Sequence, residues 1–288
     1  MSTDTAQYFE RTELLLGQTA LERLGRLRVI VFGVGGVGSW CAEALARSGV
    51  GHISLVDSDT VAPSNINRQL IATSETIGRP KVDVAAERLR CINPDIDVRP
   101  VHGIYTADTA ADFDLGTYDW VVDAIDSLAD KALLICNATA SSARLVSSMG
   151  AACKTDPTQI RIAEFWKVEG DPLARALRQR FRRSGTFPSR KFKCAYSPQQ
   201  APNVRPTERE ATVNGAKRPN GTVVYVTAAF GLALASVIVT STADTRPPAY
   251  SCKPHKASAG QKEPLRFPLS GRYCFSRGWV GLRACCCR

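Results

Sequence analysis

No paired C-x-x-C spacing occurs among the ten cysteines of this 288-residue sequence, so a structural zinc site is not expected. The first residues, MSTDTAQYFERTELLLG, lack a basic start followed by an apolar run and carry Asp4, Glu10 and Glu13 instead. That pattern does not fit a secretory signal, and a cytoplasmic setting is expected. In that setting Cys41, Cys91, Cys136, Cys153 and Cys194, scattered through the chain, read as reduced thiols and not as a disulfide framework. None sits in a recognisable nucleophile setting, so no thiol chemistry is expected. Long uncharged runs are also scarce. The one of note, residues 222–240 (TVVYVTAAFGLALASVIVT), could span a membrane by length. Its Thr, Ser and Gly residues, and the need of an α/β sheet for a buried covering helix, favour a core helix.

What is abundant is positive charge, and it is unevenly placed. Residues 1–170 hold 16 Lys and Arg against 22 Asp and Glu, whereas residues 171–220 hold 12 against 3 and residues 221–288 hold 9 against 2. A basic stretch behind an acidic front half suggests a polyanionic partner such as nucleic acid; a solvated basic helix is the plainer alternative.

Strand and helix signals alternate through the first half: strands at 29–32, 53–56, 98–101, 120–124 and 145–148, helices at 40–47, 81–91 and 128–143. Such alternation predicts a doubly wound, mostly parallel, Rossmann-like sheet with helices on both faces. Residues 160–165 alternate like a further strand, Pro172 opens an Arg-rich helix to about Arg183, and 184–221 is polar with little periodicity. The expected organisation is a nucleotide-binding domain over 1–170, a small basic lobe over 171–221, and an apolar helix within 222–245 completing the core. Beyond Arg246 the composition shifts abruptly, and 246–288 is expected to be disordered or a shifted reading frame.

The chemistry-bearing residues fall at the ends of the predicted strands, where open α/β sheets bind ligands. Gly33, Gly35, Gly36 and Gly38 form a G-x-G-x-x-G turn between strand and helix, which lets backbone N–H groups approach phosphate. Asp57 ends the next strand, where a carboxylate can accept from ribose hydroxyls. Those residues alone fit an NAD enzyme equally well. Asp59, Asn67-Arg68-Gln69, Lys81 at a helix start, and Asp123 and Asp126 at another strand end do not: together they suit a triphosphate, with cations to neutralise it and a carboxylate for magnesium.

With its glycine loop, N-x-N-R-Q segment, G-R-P-K helix start and D-x-x-D strand end, the sequence resembles the ubiquitin-activating-type (ThiF/MoeB-like) adenylyltransferase superfamily over about residues 8–245. The resemblance implies ATP and magnesium as cofactors. It places Asp57 on ribose, Asn67, Arg68 and Gln69 on phosphates, Lys81 near the α-phosphate and Asp126 on magnesium. Arg11 would reach the partner subunit's nucleotide, which implies a homodimer. The longer runs INRQLIATSETIGRPKVDV, VDAIDSLADK and SSMGAACKTDPTQIRIAEF, the DPLARALRQRFR helix and Cys194-Ala195-Tyr196-Ser197 are most similar to the branch acting on tRNA. Ala152 stands where that branch often has glycine. The activity so implied is adenylation of the threonine carboxylate of N6-threonylcarbamoyladenosine in tRNA, followed by intramolecular cyclisation. A cysteine desulfurase and sulfur-acceptor system is a further partner class for such enzymes.

Three rivals remain at this stage. One is adenylation of the C-terminal glycine of a ubiquitin-like sulfur carrier, which would not need the basic lobe. The others are an NAD oxidoreductase and a non-catalytic nucleic-acid-binding module. For the tRNA reading, Leu173, Ala176, Leu177 and Phe181 form the apolar face of the Arg-rich helix, leaving Arg175, Arg178, Arg182 and Arg183 for phosphate, with Arg190, Lys191 and Lys193 extending the charge.

Overall fold

The computed structural model describes residues 7–204 and 220–243; the segment 246–288 lies outside the described residues. Two short helices, α1 (Glu10–Leu16) and α2 (Gln18–Arg26), precede strand β1 (Arg28–Phe32). Helix α3 (Gly38–Arg47), β2 (His52–Asp57), α4 (Lys81–Ile92), β3 (Asp97–His102) and β4 (Trp120–Asp123) follow. Then come α5 (Leu128–Ala140), β5 (Arg144–Ser148), β6 (Arg161–Glu164), α6 (Pro172–Ser184), β7 (Lys193–Tyr196) and α7 (Val224–Ala243).

The strands form one sheet in the order β3-β2-β1-β4-β5-β7-β6, parallel except for β6, which runs antiparallel to β7. Strands such as RVIVF are near-continuous apolar runs because helices cover both faces. One face is sealed by Leu24 of α2, Leu45 of α3, Leu89 of α4 and Phe230 of α7; the other by Ile135 of α5, Leu177 of α6, Phe165 and Phe192.

Helix α6 is set by local chemistry. Asp171 caps its first turn by accepting from Ala174 N at 2.9 Å, Pro172 stands at its first position, and Gly185 ends it in the left-handed conformation. Its apolar face buries Ala174, Leu177 and Phe181.

Two expectations are corrected. Residues 171–221 do not form a lobe of their own where described: α6 packs into the second core, and β7 is inserted between β5 and β6. Lys193–Tyr196 offers only four residues, and a short run of that kind carries no periodicity that separates a strand from loop. Helix α5 ends at Ala140, three residues before the sequence pattern stops, because Ser141 and Ser142 turn the chain into β5.

The apolar run 222–240 belongs to α7, which packs against α3. Gly231 allows that approach: a Cβ there would lie 2.5 Å from the Val37 carbonyl oxygen and 2.8 Å from Trp40 Cβ. Gly231→Val is therefore expected to lower stability by about 2 to 3 kcal/mol, the scale of overpacking. Thermal denaturation checks it; an unchanged Tm would mean that the two helices can separate freely.

Candidate nucleotide-binding and catalytic site

The sheet order reverses between β1 and β4, and the glycine loop lies at that switch point, on the carboxyl edge where ligands bind. Gly33 ends β1 with φ +89°, and a Cβ there would come 2.6 Å from the Ala124 carbonyl oxygen just past β4. A Cβ on Gly38 would clash with the Gly33 carbonyl. Only glycine fits either place. Asp57 braces the loop, with Oδ2 accepting from Val34 N at 2.7 Å and Oδ1 from Asp59 N at 2.9 Å. Each carboxylate oxygen has a second lone pair, so this bracing leaves capacity for a ribose hydroxyl.

The N-x-N-R-Q segment faces the loop. Arg68 Cγ would lie 3.3 Å from a Cβ on Gly36. The Arg68 Nη1 donates to Ser64 O and to Asn67 Oδ1, both at 2.9 Å, while Asn67 Nδ2 donates to Thr222 O at 3.1 Å. Asn67 thus holds Arg68 in place from the side. Gln69 is buried beside Gly35, and its Oε1 has no hydrogen-bond partner among the described residues. A buried amide oxygen left without a donor is costly in an isolated protein and fits a position completed by ligand or water. Lys81, at the start of α4, is buried and pairs through Nζ with the exposed Asp59 carboxylate at 2.7 Å.

Asp123 and Asp126, four residues of one turn, have opposite fates. Asp123 is 0 % exposed and paired with the equally buried Lys131 at 2.8 Å. Its Oδ2 also accepts from Ser147 Oγ at 2.6 Å, and its Oδ1 from Ile125 N at 3.2 Å. The expectation that Asp123 touches nucleotide is corrected: its oxygens are consumed inside the fold. Lys131, which the sequence reading missed, also donates to Ile125 O at 2.9 Å and so fixes the turn leading to Asp126. Asp126 itself is exposed and makes no hydrogen bond or ion pair among the described residues.

The basic set divides. Arg175, Arg182 and Arg183 are exposed on α6, as is Arg180, which the sequence reading did not single out. Arg180 and Arg183 line a groove with Leu128, the first residue of α5 and two past Asp126. Arg178 is corrected: its Nη1 donates to Phe165 O and Val168 O at 3.3 and 3.0 Å, latching α6 to the segment after β6. Arg190 is corrected too. Its guanidinium donates to the carbonyls of Ala138, Thr139, Ser141 and Ala143, closing the end of α5. Lys191 and Lys193 lie with Arg190 and Arg144 at the amino edge of the sheet, away from the glycine loop, where helix ends favour cations.

Two further buried groups stand near the carboxyl edge. Lys154 is 3 % and Asp171 1 % exposed, 3.9 Å apart. Burial pushes the Lys154 ammonium down and the Asp171 carboxyl up from their ordinary values. Burial pushes the Cys41 thiol up to about 12 and the Cys194 thiol well above the ordinary thiol range, so neither of these two is an activated nucleophile.

The chain belongs to the ThiF family, whose model matches residues 9–270. It is 40 % identical over 237 residues to tRNA threonylcarbamoyladenosine dehydratase of Bacillus subtilis, covering 80 % of this chain and 92 % of that protein. It is 39 % identical over 246 residues to the protein of the same name in Escherichia coli, covering 80 % and 91 %. The crystal structure of the E. coli enzyme in complex with ATP superposes with a TM-score of 0.74 at 36 % identity, covering 84 % of this chain and 96 % of that one.

The two carboxylates of the turn give a direct check on this geometry. Lys131→Met leaves Asp123 buried without its counter-charge and is expected to cost about 3 to 5 kcal/mol. Asp126→Ala, at an exposed and unpartnered position, is expected to leave the denaturation midpoint unchanged. Equal destabilisation by both would contradict the assignment of one to the frame and one to the ligand.

Proposed function

We propose that the protein is an ATP-dependent enzyme that adenylates the threonine carboxylate of N6-threonylcarbamoyladenosine in tRNA and cyclises the product. The observation that carries the reading is the carboxyl-edge site itself: an open glycine loop facing Arg68, an unsatisfied Gln69 oxygen, Lys81 and a free Asp126. The substrate follows from the similarity to the bacterial dehydratases over most of both chains.

A carboxylate is a poor electrophile because oxide is a poor leaving group. Attack of its oxygen on the α-phosphorus of ATP forms an acyl-adenylate and releases pyrophosphate. A urea nitrogen of the same nucleoside then attacks the activated carbonyl, loses its proton and expels AMP, closing a five-membered ring. Holding both groups on one nucleoside makes the second step effectively unimolecular. The chain's own contribution is electrostatic. Arg68, fixed through Nη1 by Ser64 and Asn67, keeps Nε and Nη2 for phosphate oxygens, and Lys81 exchanges its Asp59 contact for charge at the α-phosphate. Asp126 offers a hard, unpaired oxygen that would hold magnesium, which neutralises phosphate charge when bound.

Glycine-carrier adenylation is disfavoured by the arginines of α6, which are aimed at solvent beside the start of α5. These arginines suit phosphates and unpaired bases of an anticodon loop. A homodimer is supported by Arg11, exposed on α1 beside Leu14 and Leu15, which are 80 % and 81 % exposed and offer apolar surface to a second copy. The ring closure uses no sulfur, so a cysteine desulfurase system would meet this protein outside the reaction.

The decisive experiment is ATP–pyrophosphate exchange and ring closure with tRNA carrying the modification. Wild type is expected to catalyse both. Arg68→Ala and Lys81→Ala should each lower turnover by on the order of 10²–10³ with the fold intact, the scale of one lost transition-state contact. Near-wild-type turnover in either would contradict the assigned roles.

The tRNA surface has its own test. Reversal of Arg180, Arg182 and Arg183 to Glu should weaken tRNA binding and flatten its salt dependence, since fewer counterions are released. ATP affinity without tRNA should hold. Unchanged tRNA affinity and salt slope would move the interface off α6.

A further inference from the structure

We propose that Lys154 is a positioning residue that couples the basic helix α6 to the phosphate-binding Arg68, so that tRNA on one sets the nucleotide site at the other. The inference rests on the functional reading above, which gives α6 to tRNA and Arg68 to ATP.

A buried lysine kept only to neutralise a buried carboxylate would make its shortest contact with that carboxylate. Lys154 does not. Its Nζ donates to Gln199 O at 2.7 Å and to Ser197 O at 3.0 Å, while Asp171 Oδ2 stands at 3.9 Å. The ammonium is therefore a tether between three segments: its own loop after β5, the loop after β7, and the residue that caps α6. The loops are bound further by Gln199 Oε1, which accepts from Thr155 N and Asp156 N at 2.9 Å.

From Lys154 the bonds run on toward the nucleotide site without a gap. The preceding residue, Cys153, has φ +57°, the one non-glycine residue with positive φ among those described. Such a conformation disfavours a side chain and persists only where the surroundings hold it. Here they do: Cys153 N donates to Gly221 O at 2.9 Å, and its carbonyl accepts from Ala201 N at 2.7 Å. The next residue, Thr222, accepts from Asn67 Nδ2, and Asn67 Oδ1 accepts from Arg68 Nη1. The cap of α6 and Arg68 are thus joined by a path of one ion pair, hydrogen bonds and the peptide links between adjacent residues. A contiguous path is a physical route for coupling, and coupling is demonstrated only by measuring it.

The experiment measures the affinity of an ATP analogue that cannot be cleaved between its α- and β-phosphates with and without saturating modified tRNA, and tRNA affinity with and without that analogue, with turnover measured separately with ATP. Wild type should show each ligand tightening the other by the same factor, about fivefold or more, as linkage requires. The test variant is Lys154→Met with Asp171→Asn. It leaves no lone buried charge, and Asn retains the helix cap, so the variant should stay folded, with its Tm lowered by the loss of the two Lys154 carbonyl bonds. Each ligand alone should bind it normally, while the mutual tightening falls to about one and kcat drops about tenfold with little change in KM for tRNA. Asp171→Asn alone, which keeps both Lys154 carbonyl bonds, should retain the coupling. Full coupling in the double variant, or its complete loss in Asp171→Asn, would overturn the tether. So would a wild-type enzyme that cyclises its tRNA without mutual tightening. A wild-type protein that neither binds nor cyclises the modified tRNA overturns the functional reading, and the coupling with it.

Discussion

The buried pair of Asp123 and Lys131 is the constraint on which the site's geometry depends. Two charges removed from water are stable only with a close partner and satisfied remaining lone pairs, and this pair has both. Asp123 ends β4 at the switch point of the sheet. Its second partner, Ser147, belongs to β5, so the pair locks two adjacent strand ends and the turn between β4 and α5. A well-packed apolar pair would hold the same volume at less cost. It would not fix the turn at 124–126 through backbone carbonyl and N–H groups, and Asp126 would lose its defined place.

Around that fixed edge the phosphate site is assembled from segments far apart in sequence. Gly33 closes against Ala124, so the glycine loop inherits its position from the same turn. The N-x-N-R-Q segment is held from the other side, since Trp40 Nε1 of α3 donates to Arg68 O at 3.2 Å and Asn67 reaches Thr222 just before α7. Helix α7 thus does more than cover the sheet. By packing on α3 at Gly231 it brings Thr222 against Asn67 and Thr227 against Gly36 of the glycine loop. Its buried side, Val226, Phe230, Leu234 and Ile238, packs into the core, while Val224, Tyr225 and Leu232 stay exposed.

The sequence made most of the fold legible because strand ends, helix starts and the glycine turn are local signals with local physical causes. The grouping of Asp57, Arg68 and Gln69 around the glycine loop was likewise expected from their residue types, and the structure brings these side chains close to it. What was not legible depends on distant pairing. Asp123 and Asp126 are chemically identical in the sequence; only Lys131, one turn into α5, assigns one to the interior. Strand β7 is too short to show a period and exists because β5 and β6 leave a place between them. Arg178 and Arg190 look like their neighbours, yet each meets orphan backbone carbonyls that a linear reading cannot see.

That redistribution changes how the basic charge should be understood. In a parallel sheet covered by helices, the helix carboxyl ends gather at the amino edge of the sheet, and their free carbonyls attract cations. Arg190 satisfies one such end outright, and the Arg144 guanidinium stands over the Trp120 ring, 4.2 Å from its centroid, nearby. Positive residues at that edge are accounted for by the fold. The arginines on the outer face of α6 are not: they have no carboxylate within ion-pair distance among the described residues, and two of them border the start of α5 next to Asp126. Uncompensated charge of one sign attracts a polyanion. The helix is therefore better suited to meet a large anionic partner than to serve the glycine loop, beside which Arg68 already stands.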